Sequence, residues 1–413
     1  MGKPDKNLTS QTDLEPIRPS AKPIRHLQYV LIVPVWGDHH TALFLRYCIP
    51  FLLTEGNIGA FADRQLQVHV ASRRSDFVRM HKDTNYQALA AATDLKETEI
   101  DDVVDLSVPH RAMTECYWHV IRSLPEADDT VTILPTPDCI FSRNALKKII
   151  ELVEAGWHAV MVCGLRLTLE TAGPLLDQMI AGPKGAGAVS ERELCSVILD
   201  NLHPITLSCN VASEEFMVTW PSHVYWIAHD RSWLIAHCFH LHPIAVRGVP
   251  RSIDIHSTID GDYLLGLGVS SKQLYICADS DQFFCVELSP HAKRILGPVG
   301  RLTKRALVRF SVSGCNSLHR EFFAQSIRWR GPREARIPED VLRQTEEFCM
   351  AVARGSKLEE LLHAVKTTVQ RTPLLLFAAR FTLRAVRWAM RRGRRMVRGA
   401  RWPLSQRRDV KLG

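Results

Sequence analysis

The chain lacks several features that would have settled its class at once. It has 413 residues and 11 Cys, yet no two Cys stand as C-x-x-C, so neither a zinc ribbon nor a redox dithiol is expected. The Cys are scattered singly and odd in number. They read as reduced, mostly buried thiols of a cytosolic protein. No charge-free apolar run reaches membrane-spanning length. The start, MGKPDKNLTSQTDLEPIRPSAKP, is polar and Pro-rich without an apolar signal core, and residues 1–26 read as a disordered leader. Lys6 stands where a myristoylation site needs Ser or Thr. No internal repeat is visible.

Charge is not lacking, but it is unevenly placed. The net charge is +8, from 52 Lys+Arg against 44 Asp+Glu. Residues 371–413 hold 13 basic side chains and one acidic, a net of +12. The other 370 residues hold 39 and 43, a net of −4. A mildly acidic body gives no reason to expect nucleic acid, which wants Lys and Arg spread over a binding face. A hydrophobic share of 46% with 23% charged is that of an ordinary globular protein.

Short apolar runs alternate with amphipathic ones. Strands are expected at Gln28–Val35, Leu66–Ala71, Val103–Val108, Thr130–Leu134 and His158–Cys163. Helices are expected at Asp38–Leu53, Arg111–Leu124 and Asn144–Ala155. This alternation predicts a doubly wound, mostly parallel sheet with helices on both faces. Beyond residue 165 the pattern changes. Thr168–Ile180 and Glu191–Leu202 read as helices, 218–250 as antiparallel strands, and Asp262–Gly266 as a short helix. Strands are expected within Leu274–Leu288, and two helices at 339–354 and 357–370.

Ligands in doubly wound sheets sit at the carboxyl ends of strands. Three such ends are polar: Pro34-Val-Trp-Gly-Asp38, Ser72-Arg-Arg-Ser-Asp76 and Pro135-Thr-Pro-Asp138. Asp38 alone reads equally as a helix N-cap, and Asp76 as a turn residue. Asp138 abuts the apolar Cys139-Ile-Phe141 and needs a partner. A divalent ion is one partner, and an N-cap or local salt bridge is the other.

The segment Ile32-Val-Pro-Val-Trp-Gly-Asp38, with the helix that follows, resembles the opening of GT-A-type glycosyltransferases of bacterial type. Thr132-Ile-Leu-Pro-Thr-Pro-Asp-Cys-Ile-Phe-Ser142 resembles their metal-binding strand end. Thr258-Ile-Asp-Gly-Asp-Tyr-Leu-Leu265 resembles the acidic motif that supplies the catalytic base in inverting members, and His291 stands where several members place a metal-binding His. The resemblance spans roughly residues 28–295. It implies a GT-A-like, Rossmann-like mixed α/β sheet flanked by helices over 27–330, with C-terminal helices at 331–370. It also implies a nucleotide-diphospho-sugar donor, a glycan or lipid-linked acceptor, and Mg2+ or Mn2+.

Asp138 and His291 would hold the metal, and Asp260 or Asp262 would be the base. Pro34, Trp36, Asp38, Arg73, Arg74 and Asp76 would line the donor side. The sequence departs from the family pattern in two places. Thr136 stands in the first acidic position of the usual Asp-x-Asp, and Ser-Arg-Arg-Ser-Asp replaces the nucleotide-binding Asp after the second strand. There Asp76 would take its place, or Arg73 and Arg74 would grip phosphates. The reduced Asp-x-Asp leaves a non-catalytic binding or scaffold protein on the same fold as the alternative.

His240 and His242 fall on one face of an expected strand. They read as a hydrogen-bonded pair lining a pocket or sheet, or as part of an acceptor pocket; the third reading has them ligate zinc in a hydrolase. Trp220, Tyr225, Trp226 and Trp233 could stack on sugars or fill the core. Asp279-Ser-Asp281 reads as a turn. On a helix over 374–402, Arg380, Arg384, Arg387, Arg391, Arg394, Arg395 and Arg398 share an arc of about 100°. Leu374, Phe381, Trp388 and Met390 lie largely outside it. The segment 371–402 reads first as an in-plane helix on an anionic membrane surface, which would place the protein peripherally on the cytoplasmic face; a solvated, partly disordered basic tail and an RNA-binding segment are the alternatives.

Overall fold

The computed structural model describes residues 26–125, 127–182, 185–249, 259–293, 297–331 and 336–371. Its centre is a seven-stranded mixed sheet. The strands are β1 Gln28–Pro34, β2 Gln65–Ser72, β3 Asp94–Glu99, β4 Thr130–Ile133, β6 Ala159–Val162, β11 His242–Arg247 and β12 Leu274–Ile276. Their order is β12-β6-β11-β4-β1-β2-β3. β11 runs antiparallel to both its neighbours, and the other pairings are parallel.

β1 shows why the sheet is covered on both faces. Its side chains alternate, with Val30 and Ile32 in one apolar cluster and Tyr29, Leu31 and Val33 in another. The helix Pro109–Ser123 feeds Ala112, Cys116, Tyr117, Val120 and Ile121 into the first cluster. The helix Ala145–Glu154 feeds Leu146, Ile149, Ile150 and Val153 into the second. An apolar run on β1 is what a strand buried on both faces requires. The expected mixed α/β sheet flanked by helices is therefore present.

Smaller sheets complete the molecule. β5 Cys139–Phe141, β13 Cys285–Ser289 and β7 Leu165–Thr168 form one, in the order β5-β13-β7. β9 His223–Ile227, β10 Trp233–Cys238 and β15 Ile327–Arg330 form another, in the order β15-β10-β9. β8 Phe216–Met217 pairs with β14 Val299–Gly300. The helices Lys304–Ser313 and Ser317–Ala324 were not anticipated from the sequence.

Two expectations are corrected. Val103–Val108 is not a strand; it lies in turns, with Val103 and Val108 exposed. The third strand is Asp94–Glu99, an edge strand paired only with β2, whose solvated side chains can be the charged run DLKETE. The two C-terminal helices are a single helix, Glu339–Arg371. Gly355 costs that helix about 1 kcal/mol and does not break it. The chain divides into two compact units after Arg354.

Candidate active site

In chain order β1, β2 and β3 step one way across the sheet, and β4 then returns to the other side of β1. The carboxyl ends of β1 and β4 therefore flank a topological switch point, where ligands of doubly wound sheets bind. All three polar strand ends lie on this edge.

Pro34 closes β1, buried. Trp36 follows, packed against the core. Gly37 has φ +80°, a left-handed turn that a side chain would strain, and its N–H donates to Asp76 Oδ2 at 3.0 Å. Asp76 also takes both prongs of Arg73, at 2.6 and 3.0 Å. Burial pushes the Asp76 carboxyl up, but Arg73 and the Gly37 N–H outweigh it and hold it below its usual value. This carboxylate ties the end of β1 to the end of β2. Arg74 points to solvent and pairs with Glu99. Asp38 is in the first helical turn with its side chain 97% exposed, 3.6 Å from Arg79. The N-cap position belongs to Trp36.

The end of β4 is held from two sides. Tyr117 Oη donates to Pro135 O at 2.8 Å, and His242 Nε2 donates to Leu134 O at 2.6 Å. Asp138, 8% exposed, follows in a turn whose carbonyl accepts from Leu288 N on β13. Burial first, and then the charge of Glu287, raise the Asp138 carboxyl to about 6, against the pull of Thr136 and Arg166. Glu287 stands opposite Cys139 in the β13–β5 pairing and binds Arg166 at 2.6 Å. Asp138 and Glu287 both act on Lys293. The oxygens of Asp138, Thr136 and Glu287 are hard donors that suit Mg2+ or Mn2+. Arg166 and Lys293 add positive charge beside them.

A second group forms around Asp260. This residue is buried and caps the helix Gly261–Gly266 by accepting from Asp262 N at 3.0 Å. Asp262 is exposed and accepts from Asn316 Nδ2 at 2.8 Å. His240, Asp260 and His319 each offer one donor atom, and these atoms lie within 4.8 Å of one another, so the group could hold a metal ion. Among the described residues it is the one cluster of this kind, and it contains neither Asp138 nor His291. His291 is exposed, its N–H donating to Glu170 and its ring 6.5 Å from His203.

The expected face shared by His240 and His242 is not formed. β10 ends at Cys238 and β11 begins at His242, so His240 lies in the connection between them. His242 turns to Leu134 and His240 to His319, and the zinc pair imagined for them is absent. His242 still links the two halves of the site. Burial lowers its proton affinity, while Glu287 and Asp260 both raise it. Asp279 and Asp281 pair with Arg330, and Asp281 also with Arg192.

Sequence reading missed His319, Asn316, Glu287, Arg166 and Lys293. Glu287 carried a signal, as a lone carboxylate inside the apolar strand Cys-Val-Glu-Leu. Asn316 carried a weaker one, an N-cap residue ahead of an amphipathic stretch.

No family model matches the chain, and no curated protein matches it. Among solved structures it is similar to a mannosyltransferase of Pyrobaculum calidifontis in complex with GDP-Man and Mn2+. The identity is 12% over 88% of this chain and 82% of that one, with a TM-score of 0.26. Among the described residues, no helix is long and apolar enough to cross a membrane. Residues 372–413, with the arginines of the basic arc, lie outside the described residues.

Proposed function

We propose that the chain is a GT-A-type glycosyltransferase that moves a sugar from a nucleotide-diphosphate donor to a hydroxyl of a glycan or lipid-linked acceptor. The observation that carries this reading is the position of His242. It is bonded to the end of β4 just before Asp138, and it feels the charges of both Glu287 and Asp260. The charge of one donor-side carboxylate and of one acceptor-side carboxylate thus both reach the imidazole that is bonded to the end of β4.

On the donor side, Asp138 would hold Mg2+ or Mn2+, whose charge stabilises the departing diphosphate. Arg166 and Lys293 supply further positive charge to the same leaving group. Arg73 is committed to Asp76 and Arg74 to Glu99, so these arginines shape the β2 end rather than grip phosphate. On the acceptor side, Asp260 or Asp262 takes the hydroxyl proton. Trp220, half exposed beside His240, offers a face for a sugar ring. The segment 371–402 would hold the enzyme to an anionic membrane surface.

The test is donor hydrolysis and transfer with UDP and GDP sugars, with and without EDTA. Asp138→Ala is expected to abolish both. Asp260→Asn is expected to keep donor binding and lose transfer, and normal transfer in that variant leaves Asp262 as the base. No binding of any sugar nucleotide by calorimetry would overturn the reading in favour of a scaffold on this fold.

A further inference from the structure

Two buried nitrogens beside Asp260 have no hydrogen-bond partner, His240 Nδ1 and His319 Nε2. A buried polar atom left without a hydrogen bond costs about 1–3 kcal/mol, and here two belong to residues that, with Asp260, each bring a donor atom within 4.8 Å of the others. His319 Nε2 lies 3.7 Å from Asp260 Oδ1, too far for a hydrogen bond. The same spacing suits two ligands of one ion. With metal–ligand distances of about 2.0–2.1 Å it corresponds to a ligand–metal–ligand angle of roughly 125–135°.

The His240 ring and the helix start that carries His319 are held in place before any ion arrives. His240 stacks on Trp220 at 5.4 Å and meets His319 at 4.3 Å between ring centroids. Asn316 Oδ1 accepts from His319 N, and Asn316 N donates to His319 Nδ1 at 3.2 Å. Gly261 allows the approach, since a Cβ there would lie 2.5 Å from His319 Nε2.

We infer that His240, Asp260 and His319 form a zinc-class metal site, three protein ligands with one position open, separate from the oxygen-donor site at Asp138. Two imidazoles and one carboxylate favour zinc over Mn2+ or Mg2+. Ligation through Nε2 moves the His319 ring proton to Nδ1, where it meets the Asn316 N–H. That contact opens on binding. The site goes beyond the transferase reading and stands without it. Where both hold, Asp260 serves as a ligand, Asp262 is left as the proton acceptor, and the ion acidifies a hydroxyl at its open position.

The experiment is zinc binding by the full-length protein after dialysis against EDTA, followed by calorimetry with ZnCl2 and elemental analysis of the gel-filtered protein. One zinc per chain is expected. His240→Ala and His319→Ala should each weaken binding at least tenfold, while Lys148→Ala, at an exposed surface ion pair, binds as the native chain does. Gly261→Ala keeps all three ligands but drives a methyl onto the His319 ring. It should also weaken binding tenfold, and it keeps the test open where a His variant fails to fold. No zinc on the native chain, or zinc unaffected by the His variants and Gly261→Ala and therefore carried by thiols, overturns the inference. None of these readings needs a donor sugar, so failure here and failure of the transferase reading are separately visible.

Discussion

Replacing Asp138 by Asn should make the metal-free protein more stable at neutral pH. The side chain is 8% exposed. Burial chiefly, and Glu287 next, move its carboxyl from the usual 3.8 to about 6. Between those two values the native state binds more protons than the unfolded one. Stability therefore falls as pH rises through that window and stays reduced above it. A shift of roughly two units at about 1.36 kcal/mol per unit puts the penalty near 3 kcal/mol. Asn keeps the shape and cannot ionise. Urea unfolding of both proteins in EDTA, from about pH 4 to pH 8, should start near equality at the acid end. The Asp138→Asn variant should gain about 2–3 kcal/mol by the alkaline end. Adding Mn2+ should then close the gap from the native side, because an ion on Asp138 favours the ionised form. Parallel curves for the two proteins across that range would refute the argument that Asp138 is a strained buried acid.

Three further outcomes are expected. Asn57 is fully buried; its Nδ2 donates to Phe51 O and Ser142 O, and its Oδ1 accepts from Leu146 N. Asn57→Ala should cost about 2–4 kcal/mol by chemical denaturation, and a loss near zero would mean that water replaces these bonds. Asp76→Ala removes the partner of Gly37 N–H and of Arg73. Because the Asp76 carboxyl is held below its usual value, its contribution is present above the ordinary carboxylate range and lost as pH falls through the lowered one. The variant should thus lose about 1–3 kcal/mol at neutral pH and little in strong acid, and a pH-independent loss would assign the effect to packing. For the basic segment, flotation with anionic vesicles should carry the full chain and not a truncation after residue 370, and equal flotation of both rejects a membrane-surface role.

The parts of this molecule that were legible in its sequence are those whose physics is local. β1 could be read because a strand buried on both faces must be apolar throughout, and the helix Ala145–Glu154 because its apolar positions recur at the helical period. β3 could not, because an edge strand needs no apolar run, and DLKETE looks like a loop until β2 is placed beside it. The same contrast divides the site. Asp138 stood out through its apolar neighbours, and Asp260 through the acidic motif. What Asp260 faces depends on partners that the chain brings in from far away. His240 leaves its expected strand by ending β10 two residues early. His319 arrives on a helix whose N-cap, Asn316, also binds Asp262. No periodicity in the sequence relates residue 240 to residue 319. Their meeting is set by the packing of the helix Ser317–Ala324 on β10 and by a glycine at 261 that leaves room for a ring. A spacing rule applied to His240 and His242 therefore gives His240 the wrong companion. The tertiary contact that corrects it also turns a candidate base into a candidate ligand, and zinc binding by the Asp260→Asn variant separates the two: a ligand loses the ion with the substitution, whereas a base alone keeps it.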